Sequence, residues 1–459
     1  MPEGFDLLLK GGTLVRGNGL FARDLAIQGE KIAAVEPRIP AASAQRVVEI
    51  PGMYLLPGII DVHTHPLYED DFANTAVTAA WGGTTTLVHY AYAFPGKNVK
   101  ETVAEAIETA GRTSCLDFGL HVGLFQVEEQ YRQIPDAFEL GVRTFKMFMT
   151  YQKLGRMTSD YYLMAAFDLI GRCGGMAMVH AENGLATDFL EDKFNSEGIP
   201  AIEAFTRMRP ASLEAEAINR AIAIAEVAGC PIYIPHISVK RGLEPIIQAK
   251  LRGQNVYAET CPQYLELTEK DLYRFKALAK IGPPLRTPED NEALWQRLAD
   301  GTIDVVASDH APKAKKQDED FFNAAYGSPQ AETLLTVTYD GGVNRNRLTL
   351  PRLVQVLAEN PARIFGLYPR KGILEKGADA DVVVFDPTVR HILKGETQHT
   401  KAGYTLFEGR ECLGRPILTL QRGRFVLDRD RLIAKPGDGK YIPLSEGRAR
   451  SNRSLPEPA

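Results

Sequence analysis

The sequence predicts an α/β fold, a (β/α)8 barrel carrying a small β-sandwich formed by the N- and C-terminal segments. Three observations predict it. Through the middle of the chain, short apolar segments alternate with amphipathic helical patterns, as the βα units of a parallel sheet do. Several of those segments end in His, Lys or Asp, and barrels of this kind place their chemistry at the carboxyl ends of their strands. Both chain ends instead carry short strands separated by Gly or Pro, with nothing catalytic among them. At 459 residues the chain exceeds the size at which one hydrophobic core stops growing, so a barrel with a satellite is expected.

In chain order, residues 1–55 form the first part of the sandwich, with strands at Leu7-Leu8-Leu9, Thr13-Leu14-Val15, Leu25-Ala26-Ile27, Ile32 to Val35 and Val47 to Ile50. Residues 56–366 form the barrel. One helix is clear: Ile218, Ala221, Ile222 and Ala225 fall at helical spacing after Pro210-Ala211-Ser212, and Gly229 closes it. The next segment, Pro231 to Pro235, reads as a buried strand with His236 at its end. The same pattern precedes His63, Lys146, His180 and Asp309. Residues 367–436 complete the sandwich with Asp381 to Phe385, Ile417 to Leu420 and Phe425 to Leu427. Residues 437–459 are expected to be a tail, polar and Pro-containing from Glu446 on, either flexible or contacting a partner subunit.

Composition narrows the function. The formal net charge is −5, with both signs scattered, which argues against a nucleic-acid or membrane-surface partner. No apolar run approaches the ~20 residues that span a bilayer. The segment Met1 to Asp6 carries acid where a signal peptide carries base, and Leu7-Leu8-Leu9 is too short for its apolar core. The five cysteines are odd in number and contain no Cys-x-x-Cys pair, so a reduced, cytoplasmic chain is expected.

His63-Thr64-His65 places two imidazoles on one face of an extended strand, where both can reach one ion. His-x-His is also common by chance, and a lone histidine such as His180 or His236 after an apolar strand is often a hydrogen-bonded core residue. Asp309 ends the run Val305-Val306-Ala307-Ser308, and a carboxylate there needs a cation or several donors to offset desolvation. Its neighbour His310 should face the other way and support the site. Lys146 looks misplaced, because an ammonium cannot ligate a cation. Burial favours the neutral amine, which can add CO2 to give a carbamate whose two oxygens bridge two ions. Pairing of Lys146 with a nearby acid is the alternative. Five independent core accidents would rarely place four histidines, one carboxylate and one lysine at five strand ends. Imidazole with carboxylate suits Zn²⁺ best, with Mn²⁺, Co²⁺ or Fe²⁺ also possible.

These residues resemble the amidohydrolase superfamily, and within it the cyclic amidohydrolases: hydantoinases, dihydropyrimidinases, allantoinases and dihydroorotases. The carrying segments are Pro57 to His65, Phe145 to Tyr151, Val179 to Asn183, Glu259 to Leu265, Gly282 to Arg286 and Ser308 to Pro312. The resemblance implies two divalent ions, with His63, His65 and Asp309 holding the more buried one and His180 and His236 the more exposed one. Lys146, carbamylated to N6-carboxylysine, would bridge them. It also implies hydrolysis of the amide bond of a small cyclic amide, of hydantoin or dihydropyrimidine type. A metal-bridging hydroxide would attack while Asp309 acts as general base and then acid.

Tyr151 matches the family residue that hydrogen-bonds the developing oxyanion; the alternative is a buried tyrosine bonded to backbone. Relatives are commonly homotetramers, so a homo-oligomer, tetramer or dimer, is expected. The sequence departs from the family in several places. Pro66-Leu67 stands where dihydroorotases carry a carboxylate-gripping arginine. Gly282 and Tyr326 stand where hydantoinases and dihydropyrimidinases usually have the ring-contacting serine and asparagine, and Tyr326 could narrow the pocket. Lys313 replaces an aromatic residue and opens a stretch to Asp320 expected to be a solvated loop at the entrance. Tyr68 and Phe94 are candidates for the substituent wall, and His89 and Tyr90 for pocket lining. Allantoinase or cyclic-imide hydrolase activity on the same scaffold, and a metal-free scaffolding protein, are the alternatives.

Overall fold

A computed structural model of the chain describes residues 4–444. Its centre is an eight-stranded parallel sheet. The strands are β1 (Ile59–Thr64), β2 (Thr84–Ala93), β3 (Asp117–Leu124), β4 (Thr144–Phe148), β5 (Met176–His180), β6 (Ile232–Ile234), β7 (Val256–Thr260) and β8 (Val305–Val306). Consecutive strands are neighbours throughout. The barrel closes just above β8, where His310 N donates to His63 O at 3.1 Å and His65 N to His310 O at 2.9 Å. Strand alternation sorts the side chains. Tyr90, Met178, Tyr233 and Val305 fill the barrel, whereas Leu87, Phe145, Val179 and Ile234 pack outward against the helices.

The helix expected after Pro210 runs Ala211–Ala228, and Gly229 ends it with φ 61, the left-handed cap that glycine adopts without a Cβ penalty. The chain ends meet as expected. Tyr54–Pro57 pairs antiparallel with Val382–Ile392 and parallel with Thr13–Arg16 inside a seven-stranded sheet. A four-stranded sheet covers it, with Leu7, Leu25, Leu55, Val382 and Leu420 in the shared core.

An ionic latch fixes this sandwich to the amino-terminal face of the barrel. Lys371 Nζ lies 2.8 Å from Asp117 of β3, 2.6 Å from Asp381 and 3.2 Å from Asp379, and Arg422 also reaches Asp117. The opposite, carboxyl-terminal face is left open for chemistry. The tail expected from 437 needs correction. β4 pairs with β3 only at Val122 and Gly123, and below them Phe118 N donates to Lys440 O and Ile442 N to Phe118 O. Residues 440–442 thus take the place β4 leaves vacant, and Ile442 and Leu444 are buried. Apolar side chains at alternate positions explain the docking, which overall polarity hid. Residues 445–459, including the stretch from Glu446, lie outside the described residues. No helix among the described residues is long and apolar enough to cross a membrane.

Candidate active site

The carboxyl ends of β1, β4 and β5 and the turns after β6 and β8 bring His63, His65, Lys146, His180, His236 and Asp309 into one pocket. Asp309 Oδ1 lies 3.0 Å from His65 Nε2 and 3.1 Å from His63 Nε2. His63, His65 and Asp309 can all present ligand atoms within 4.8 Å of one another. The His180 and His236 rings are 4.6 Å apart, and Lys146 Nζ is 3.5 Å from His236 Nε2. Ile60 and Val62 point into the barrel core, yet His63 and His65 both line the pocket. A register shift in β1 between Asp61 and Thr64 marks this change of parity, the way strand irregularities re-aim side chains at sites.

Three of the seven non-glycine residues with positive φ among the described residues belong here: Tyr151 at 67°, His236 at 44° and Asp309 at 52°. Such conformations cost on the order of 1 kcal/mol each and persist only where surrounding packing enforces them.

Burial keeps the imidazoles neutral. It holds His63, His65 and His236 well below the ordinary histidine value, and the other positive groups of the cluster add to this. His63 Nδ1 is 2.7 Å from Glu259 Oε1, so its other nitrogen is free to present a lone pair. That Nε2 is buried and makes no hydrogen bond, although Asp309 Oδ1 is close. An imidazole lone pair facing a carboxylate oxygen is stable with a cation between them, so the residues fit a divalent ion. His180 repeats the arrangement through its Nε2, 2.6 Å from Glu182 Oε2, which leaves Nδ1 for the pocket. Burial alone would raise Glu182, but the Arg209 guanidinium at 2.7 Å and His180 hold it at about 2. Carboxylates behind ligating histidines fix the tautomer and ring orientation in this way.

Lys146 is buried, and among the described residues no carboxylate comes within ion-pair distance of its Nζ. Burial lowers it to about 8, against the pull of Asp309 and Glu259. Burial also raises Asp309, with His63 opposing.

Glu259, Glu182 and Arg209 were not assigned roles by sequence reasoning. Glu259 binds His63, the His236 amide at 3.1 Å and Tyr233 Oη at 2.7 Å. It carried the signal that singled out Asp309, a carboxylate ending an apolar strand. Arg209 gave no such signal, since its meeting with Glu182 is purely tertiary. His310 faces away as expected, donating to Asp70 at 3.0 Å while its Nδ1 accepts from Gln330 and Ala331 amides. His89 does not line the pocket. It sits outside the barrel, 2.7 Å from Thr64 Oγ1 and edge-on to Phe72, because it alternates with the inward Tyr90. Tyr90 lies beneath the cluster, stacked on His65.

Above the cluster is a cavity of about 440 Å³ with an aromatic collar that includes Tyr68, Tyr92, Phe125, Tyr151 and Tyr326. The Tyr151 ring is 5.1 Å from His180 and 5.9 Å from Tyr326. Gly282 lines the same wall. A Cβ there would lie 2.9 Å from Tyr151 Oη and 3.3 Å from the Tyr326 ring, so the two departures at 282 and 326 form one accommodation. Arg209 Nε donates to Tyr326 Oη at 3.3 Å, tying the collar to the Glu182–His180 pair.

Phe94 is 41% exposed and packs on Phe125 instead of lining the pocket. The entrance loop is mostly exposed as expected, with two exceptions. Lys313 lines the cavity over the Tyr68 ring, and Lys315 is buried, donating to the Leu278 and Lys280 carbonyls. Backbone acceptors at the loop's base draw Lys315 inward and the Tyr68 face draws Lys313, which the polar composition of the stretch did not reveal.

The family model described as Amidohydrolase family matches residues 54–426. A D-hydantoinase of Ralstonia pickettii is 36% identical over 456 residues, covering 95% of this chain and 98% of the relative. An L-hydantoinase of Paenarthrobacter aurescens is 32% identical, covering 95% and 98%. The crystal structure of dihydropyrimidinase from Brevibacillus agri superposes with a TM-score of 0.90 at 32% identity, covering 95% of this chain and 98% of that one. Matching along nearly the whole length in sequence and structure, the chain belongs to the amidohydrolase family and, within it, to the cyclic amidohydrolases.

Proposed function

We propose that the chain hydrolyses the ring amide bond of a small cyclic amide of hydantoin or dihydropyrimidine type, and that it does so with two divalent metal ions. The observation that carries this reading is the convergence of four imidazoles, Asp309 and Lys146, which makes no ion pair among the described residues, on the open face of the barrel. The names of its relatives supply the ring class. His63, His65 and Asp309 would hold one ion and His180 and His236 the other, with Lys146 bridging as N6-carboxylysine after its neutral amine adds CO2 and releases a proton. Zn²⁺ suits the donor set first, then Mn²⁺ or Co²⁺. Such ions lower the pKa of a bound water and polarise the scissile carbonyl.

The chain's own residues do the rest. Asp309, raised by burial, is poised to accept the proton of the attacking water and to return it to the leaving ring nitrogen. Tyr151 is raised by burial, so its phenol stays a donor and can serve the oxyanion that forms. The Gly282 and Tyr326 wall sets the room left for the ring, with the Gly282 backbone available to contact it. By family resemblance we extend the reading to a cytoplasmic homo-oligomer, dimer or tetramer. The exposed Leu185 and Phe189 offer apolar surface for such contacts.

The test is a parallel assay of hydantoin, dihydrouracil, allantoin and simple cyclic imides on protein reconstituted with Zn²⁺ or Mn²⁺ and bicarbonate, with bound metal measured. Opening of hydantoin or dihydrouracil with about two ions per chain is expected. Preference for allantoin or an imide would move the substrate within the family. A chain that binds no metal and opens no ring is a scaffolding protein instead.

A further inference from the structure

The outer half of the cavity has a charge the ring chemistry does not require. Among the lining residues the sole carboxylate is Asp309, which belongs to the proposed metal cluster, whereas Arg156, Lys280 and Lys313 also line the cavity. Each cation rests on an aromatic ring of the collar. Lys313 lies over Tyr68, whose ring is 6.4 Å from His65. Lys280 lies 4.7 Å from the centre of Tyr326, which in turn touches Tyr151. Arg156 lies 4.5 Å from the centre of Phe125. The cations therefore stand one or two rings above the ligand layer, where the exocyclic substituent of a bound ring would end.

None of the three is neutralised by an ion pair among the described residues. Lys280 Nζ donates to the Phe322 carbonyl at 2.6 Å, Arg156 bonds Tyr68, and Lys313 has the Tyr68 face. The nearest opposite charges act at longer range, Glu69 on Lys313 and Glu191, Asp320 and Glu319 on Lys280. Half-buried cations without an anion are costly unless one arrives with the ligand. Burial accordingly lowers Lys280 to about 8 and Lys313 to about 7.

We infer that this pocket selects cyclic amides whose exocyclic substituent ends in a carboxylate, received by Lys280, Lys313 and Arg156. The inference rests on the ring-opening reading above and deepens it. The ring binds at the metal cluster, the substituent passes the aromatic collar, and its anionic end lies among the cations that line the cavity. A neutral or purely aromatic substituent leaves Arg156 and Lys280 without a counter-charge and gives Lys313 nothing that holds its proton.

The test compares 5-(2-carboxyethyl)hydantoin with its near-isosteric amide, 5-(2-carbamoylethyl)hydantoin, on the metal-loaded full-length protein. The acid is expected to be favoured about tenfold or more in kcat/KM, chiefly through KM, with the preference shrinking as salt is added. In a Lys280→Met, Lys313→Met double variant the acid-to-amide ratio should collapse to within about threefold of unity. Because the ratio is taken within one protein, partial misfolding cancels. An amide opened as well as the acid overturns the inference and leaves ring hydrolysis intact. A ratio unchanged in the double variant removes the assignment to these lysines. Failure to open either compound, hydantoin itself or dihydrouracil overturns the ring-opening reading on which the inference rests.

Discussion

Lys146 and Lys371 lie at opposite faces of the same barrel and are equally sequestered, each 1% exposed. Their chemistry diverges. At Lys371 burial would lower the amine, but Asp381, Asp117 and Asp379 raise it well above the ordinary lysine value. At Lys146 burial wins, because the groups around it are imidazoles, and Asp309 and Glu259 stay beyond ion-pair distance. Burial alone therefore does not make a lysine reactive; the partners decide. Three carboxylates turn Lys371 into a fixed cation that latches sandwich to barrel. Neutral imidazoles leave Lys146 without a counter-charge, the condition that the proposed carbamate requires.

The largest expected effect tests the proposed role of Lys146. Lys146→Ala should lower kcat by about a thousandfold or more and strip bound metal, while far-ultraviolet circular dichroism stays native. Retained turnover with retained metal would break the contrast at its centre. Tyr151→Phe should lower kcat about a hundredfold with a much smaller change in KM, measured on whichever ring the substrate panel selects. Lys371→Met should show the opposite profile. Leaving Asp117 and Asp381 buried without their cation should cost about 3–5 kcal/mol in denaturant unfolding, with metal content and kcat per folded chain unchanged. Loss of metal with no loss of stability would erase the distinction between latch and site.

The smallest effect is one of pH. Lys371 has a raised folded pKa, so its stabilisation is fully present below the ordinary lysine value and is lost only as pH rises through the higher folded one. In metal-free protein Lys146 is lowered to about 8, so the unfolded chain binds the extra proton between that value and the ordinary ~10.4. Stability should then rise with pH across this window, by about 3 kcal/mol at most, and the rise should vanish in Lys146→Met. Asp379, held at about 2 by Lys371, Lys31 and Arg370 against its burial, should lose its contribution as pH falls below ~4 towards 2. A chemical-denaturation series over pH, compared with Lys371→Met, reads that loss.

Much of this was legible in the chain. The helix Ala211–Ala228 followed from apolar spacing and Gly229, and the positions of His63, Lys146, His180, His236 and Asp309 from apolar runs that end in a polar residue. Sandwich strands at both termini were legible from their short alternating segments. Other features were not. His89 also ends an apolar run, and only the alternation of β2 turns it outward. Lys313 and Lys315 read as solvated, yet they reach back over Tyr68 and towards the Leu278 carbonyl. Residues 439–444 read as tail, yet they complete the sheet beside Phe118.

The division has a physical cause. Hydrophobic period, capping residues and the direction of a strand are properties of neighbours in the chain, so the sequence by itself determined the elements and which side chains stand at strand ends. The tertiary structure decided which groups meet across long separations: Glu182 with Arg209, Gly282 with Tyr151 and Tyr326, Lys371 with Asp117. Those encounters set protonation and room. They, and no local pattern, make one buried lysine a latch and leave the other among neutral imidazoles, where the proposed metal site needs it.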